Sequence, residues 1–114
     1  MRDCEPGLQS DGRPFWYVLD GHTPVPATSM NEVEALLGDV ARRRVAYTQV
    51  DGDCYVSTVF LCLDHSWIVP GPIEVFETMI FRNGDGEDQW HYATWEAAEA
   101  GHAHAVTVAL GGVT

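Results

Sequence analysis

The stretch from Val45 to Leu63 constrains the fold more than any other part of the chain. Val45 to Val50 and Cys54 to Leu63 are rich in β-branched and aromatic residues, and Asp51-Gly52-Asp53 between them has turn chemistry, so the segment predicts a β-hairpin. In the second strand one face carries Cys54, Val56, Thr58, Phe60 and Cys62, and the other Tyr55, Ser57, Val59, Leu61 and Leu63. Both faces become apolar toward the C-terminal half, which places this strand centrally in a sheet. At about 3.3 Å per residue, Cys54 and Cys62 lie roughly 26 Å apart, far beyond disulfide reach. Cys4 sits in a polar stretch and no Cys-x-x-Cys pair occurs, so the cysteines read as small hydrophobes of a cytosolic protein.

The flanking segments complete the fold. Residues 1–14 carry Gly, Pro, Ser and charge without an apolar period and read as a flexible leader. Phe15 to Leu19 suits a first strand ended by Asp20-Gly21, and Pro24 and Pro26 keep the next stretch extended. Ser29 and Glu32 have capping-box spacing, with the glutamate reaching back to the capping residue's amide. Val33, Leu36, Leu37 and Val40 follow as a helical stripe, and Arg42-Arg43-Arg44 close the helix at the negative end of its dipole. Beyond Pro70-Gly71-Pro72 come a strand from Ile73 to Phe81, a polar turn from Arg82 to Asp88, and a short strand from Gln89 to Tyr92. Thr94 caps a last helix from Trp95 to about Leu110, stopped by Gly111-Gly112. The order β-α-β-β-β-β-α predicts an α+β domain over 15–114, a mostly antiparallel sheet of about five strands with two helices on one face.

Composition limits the function. In 114 residues, 46% are hydrophobic, enough for one core, and 17 acidic residues face 6 basic ones, for a formal charge of −11. All six basic residues are arginine, and nearly all of the imbalance lies after residue 44, where ten acids face Arg82 alone. Such a chain is ill suited to a nucleic-acid backbone or an anionic membrane surface. No apolar run is long enough to span a bilayer, and the first residues do not start a signal peptide.

Three groups of residues could carry chemistry. Asp20 and His22 follow the first strand, and Asp64 and His65 the central one; if these strand ends converged, they would offer ligands for a divalent metal or a general-base pair. Taken singly, each pair reads as ordinary turn chemistry. Glu77 interrupts the row Ile73, Val75, Met79, Phe81, and if that row faces the helices Glu77 is a buried carboxylate needing a partner, a histidine or arginine among them. On the last helix His102 falls within roughly 20° of Trp95, on the face of Ala98 and Ala105, and so points inward, while His104 points to solvent. Glu99-x-x-His102 has di-iron spacing but lacks the second pair that such sites require. No phosphate-binding glycine loop, Gly-x-Ser-x-Gly elbow or His-Glu-x-x-His is present, so no reaction is named.

Several blocks together resemble a family of small bacteriophage and prophage proteins. They are Tyr17 to Pro26, Val56 to Leu61, Leu63-Asp64-His65, Phe76-Glu77-Thr78-Met79, Tyr92 with Thr94-Trp95-Glu96, and Gly101-His102. The resemblance covers nearly everything from Phe15 to Val106 and departs at Cys62 and Ser66-Trp67-Ile68-Val69, where a more glycine-rich loop is expected. It implies a phage-encoded protein working in a bacterial cytoplasm and carries no activity with it. Three functions are compatible. The first is an acidic accessory factor that binds a host protein with a basic surface, a component of antiviral defence included. The second is a metal- or small-ligand site, a hydrolytic one included, drawn from Asp20, His22, Asp64, His65, Glu77, Trp95 and His102. Its metal ligands would be His22, His65 and His102; no cofactor is expected otherwise, and this reading alone would call for a divalent metal. The third is a virion or assembly component, for which homo-oligomers are expected.

Overall fold

A computed structural model describes residues 7–9, 12–66 and 72–111. In chain order the elements are β1 (Tyr17–Asp20), β2 (Thr23–Pro26), α1 (Met30–Leu37), α2 (Val40–Arg43), β3 (Arg44–Asp51), β4 (Cys54–Phe60), β5 (Phe76–Arg82), β6 (Asp85–Tyr92) and α3 (Trp95–Ala109). The fold is α+β and every strand pairing is antiparallel. Six strands divide into a hairpin, β1-β2, and a four-stranded sheet in the order β3-β4-β5-β6. The hairpin forms because Gly21 takes the left-handed φ of 63° that a two-residue turn needs at its first position. It joins the rest of the chain through Tyr17 N–H to the Cys62 carbonyl (2.6 Å) and Asp64 N–H to the Phe15 carbonyl (3.0 Å).

Strands β1 and β5 begin later than expected, at Tyr17 and Phe76, and three further departures shape the fold. The helical stripe stops at Leu36: Gly38 separates α1 from α2, Val33 and Leu36 are buried, and Val40 is 49% exposed. Ser29 caps α1 as expected, but Glu32 reaches back one residue further, to the Thr28 amide and hydroxyl. Of the arginine run, Arg43 does the capping, donating to the Leu37 carbonyl at the end of α1 and to the Phe60 carbonyl. Second, β4 ends at Phe60, and Cys62, with φ at 68°, turns the chain away while staying buried. Third, the turn after β5 is only Asn83-Gly84, both with positive φ, so the acidic run Asp85–Asp88 belongs to β6. As an edge strand, β6 carries charge without burying it.

The last helix packs across all four strands of the larger sheet. Facing it are Cys54, Val56, Thr58 and Phe60 of β4 and Phe76, Thr78 and Ile80 of β5, all buried. Glu77 is therefore on the opposite face from the one expected. The inner row contains Thr78 and the outer row Met79 and Phe81, so counting apolar residues inverts the phase of this strand. One part of the core joins the β1-β2 hairpin, α1 and Trp95; a second lies between the end of α3 and Cys54, Val56 and Ile80.

Candidate functional site

His102 points inward, as its helical position predicts, and enters a small polar network inside the core. Its Nδ1 lies 2.7 Å from Thr58 Oγ1, its Nε2 2.8 Å from Thr48 Oγ1, and Thr58 and Thr78 share a 2.6 Å hydroxyl contact. Burial holds its pKa below the usual histidine value. Both ring nitrogens are occupied, which makes His102 a packed core histidine. The helix comes this close to the sheet because Ala98 and Ala105 are small, and because Gly101 lies where a Cβ would collide with the Tyr92 phenol.

The two Asp-His strand ends stay apart. Asp20 is exposed at the end of β1, and His22 stacks flat on Trp95 with ring centroids 3.7 Å apart and planes 1° from parallel. Asp64 is buried and saturated: Oδ1 accepts from the Ser66 and Glu74 amides, both at 2.9 Å. Its Oδ2 accepts from Gln9 Nε2 at 2.9 Å and Arg13 at 3.1 Å. Burial pushes its pKa up, but the Glu74 amide, the Gln9 side chain and the Ser66 groups outweigh that and hold it below the ordinary aspartate value. Asp64 thus ties together three segments, with Gln9 and Arg13 coming from the stretch read as a leader.

His65 and Glu77 do meet, through a residue the sequence did not single out. His91 on β6 places Nε2 2.9 Å from Glu77 Oε2 and Nδ1 3.8 Å from Glu74 Oε1, and His65 stacks on its ring at 5.6 Å. The signal was the cross-strand register, which sets His91 opposite Glu77 once β5 and β6 are paired around Asn83-Gly84. Among the described residues, no group of three or more His, Cys, Asp or Glu side chains is arranged to hold a metal ion. A cavity of about 450 Å³ lies beside His65, lined by Gln9, Phe15, Leu63, Asp64, His65 and Ser66.

The most extended feature is the outer face of the four-stranded sheet, opposite α3. Tyr47, Tyr55 and Phe81 form a row across three strands, with centroids 5.4 Å apart for the first pair and 4.8 Å for the second. Tyr47 is 44% exposed, and the Arg44 guanidinium already lies over its ring at 5.3 Å. The row ends at two hairpin turns held together by the Asn83 amide on the Asp53 carbonyl. These turns bring Asp51, Asp53, Asp85 and Glu87 to one end of the sheet, where Arg82 pairs with Glu87 at 3.2 Å and also reaches the last carbonyl of α3. Comparison of the chain with family models, with curated proteins and with solved structures finds no match.

Proposed function

We propose that the protein acts by binding a host protein through the outer face of its sheet, and that the bound surface is basic. The observation that carries this reading is the aromatic row Tyr47–Tyr55–Phe81 running into the carboxylates of the two hairpin turns. Flat tyrosine rings accept a guanidinium or an ammonium stem, and the neighbouring acids supply attraction and a faster encounter. Arg44 over Tyr47 shows the same contact made within the chain. The phage resemblance adds a place, the bacterial cytoplasm, and a class of target, a component of antiviral defence.

The test is capture from a bacterial host lysate at low and moderate salt, followed by binding of the purified partner. Tyr47→Ser and Asp53→Asn should each weaken that partner about 5- to 30-fold, the asparagine variant chiefly through slower association. A partner held equally well by both variants, or none retained at either salt, refutes the reading. A second reading rests on the cavity beside His65, which suits a small ligand. Under it, a ligand found by thermal-shift screening should lose affinity in His65→Ala while Tyr47→Ser leaves it unchanged.

A further inference from the structure

The two edges of the four-stranded sheet are built differently. Both edge strands pair with some irregularity of register, but β6 also carries Asp85, Glu87 and Asp88. Charge on an edge strand keeps it from pairing with another chain. The other edge, β3, has no charged side chain between Arg44 and Asp51, in a protein whose formal charge is −11. None of its eight residues is buried, whereas alternate residues of β4 beside it are.

We propose that β3 is a self-association edge, along which a second copy of this chain pairs antiparallel and extends four strands to eight. The strand is self-complementary in charge. Antiparallel pairing about a twofold axis brings Arg44 of each copy beside the Asp51 end of the other, so that opposite charges close both ends of an uncharged centre. One Asp51 oxygen accepts the Asp53 amide within its own turn, which fixes the carboxylate at that end. An axis normal to the sheet keeps the outer faces on one side, so the exposed Tyr47 rings of the two copies meet and the aromatic row becomes continuous. The same geometry keeps the acidic turns apart: eight residues at about 3.3 Å separate them by roughly 26 Å, some three Debye lengths at physiological salt. Pairing through β6 would instead bring three exposed acids of each copy, Asp85, Glu87 and Asp88, into the seam. This inference stands independently of the host-partner reading, because it uses the backbone edge of β3.

A single strand pair is a small interface, so the dimer is expected to be concentration-dependent, forming on the order of 100 μM. Sedimentation equilibrium from about 1 to 500 μM should show monomer passing to dimer and no larger species. Arg44→Glu, which sets like charges together at both ends, should raise the dissociation constant about 10-fold or more. Asp88→Ala on the β6 edge should leave it unchanged. Should Arg44→Glu fail to fold, hydrogen exchange on the unaltered protein decides: the β3 amides that do not bond β4 should gain protection as concentration rises. A monomer throughout that range, a dimer insensitive to Arg44→Glu, or β3 amides with concentration-independent exchange overturns the proposal.

Discussion

Acid should destabilise this protein through His102, and the size of the effect follows from where the imidazole sits. The ring is 7% exposed and its two nitrogens contact the hydroxyls of Thr58 and Thr48, with no carboxylate among these partners to offset the desolvation of a cation. Its folded pKa lies below that of the same histidine in the unfolded chain, about 6.5. The unfolded state therefore binds more protons below that pH. The contribution is fully present above about pH 6.5 and is lost as pH falls toward the folded pKa. The slope in that window is at most about 1.4 kcal/mol per pH unit, so at most about 2 kcal/mol disappears between pH 6.5 and 5.

Urea unfolding of the protein and of His102→Gln, followed by far-UV circular dichroism from about pH 7.5 to 5, isolates this effect. The glutamine cannot titrate, and the other four histidines are common to both proteins, so the difference between them reports position 102. At pH 7.5 the variant should be less stable by about 1–3 kcal/mol, because the network loses a well-placed member. That gap should narrow on acidification, by no more than about 2 kcal/mol down to pH 5. Parallel stability curves, or a gap that widens in acid, would refute the assignment of a neutral His102 in the core.

Other parts of the fold are tested by single substitutions. Asp64→Ala should cost about 3 kcal/mol in urea unfolding, since it strips the acceptor from the Ser66 and Glu74 amides and from Gln9 and Arg13. The folded pKa of Asp64 is lowered, so its contribution is present above the unfolded value near 4 and lost only as pH falls below it, well separated from the His102 window. Gly101→Ala should lower the melting temperature despite its better helix propensity, by about 1–3 kcal/mol of overpacking against the Tyr92 ring, and Tyr92→Leu in the same chain should recover part of it. Trp95→Ala should cost about 3–5 kcal/mol, because it removes the ring on which His22 stacks and which meets Phe76 edge-on. His22→Ala should cost only about 1 kcal/mol by the same thermal assay.

Local signals carried most of the fold into view. Ser29 and Thr94 announce their helices because a side-chain oxygen before an apolar period satisfies free amides, and both do so here. The hairpin around Asp51-Gly52-Asp53 follows from its turn chemistry, and the inward His102 from helical periodicity. The pairing of β1 with β2 did not, because two prolines in β2 argue against a ladder; a two-residue hairpin tolerates them where no third strand needs their donors. The Asp-His strand ends could not be judged from sequence at all. Their separation depends on which segment each carboxylate caps, and Asp64 is consumed by residues 51 and 55 positions away.

The inverted phase of β5 and the open face of the sheet are one physical fact. A strand between a helix and solvent ordinarily puts its apolar row inward. In β5 the inward row holds Thr78, which is satisfied by Thr58 and through it by His102, so the interior tolerates a polar residue at that level. The outward row holds Met79 and Phe81, and on β4 Tyr55 stands in front of Phe81. Apolar and aromatic side chains on that side contribute nothing to the packing of α3, which lies on the other face. Surface that is apolar without a packing role, next to clustered carboxylates, is the composition of a binding face. The alternation that misleads about burial therefore marks the sheet face proposed above as the binding surface.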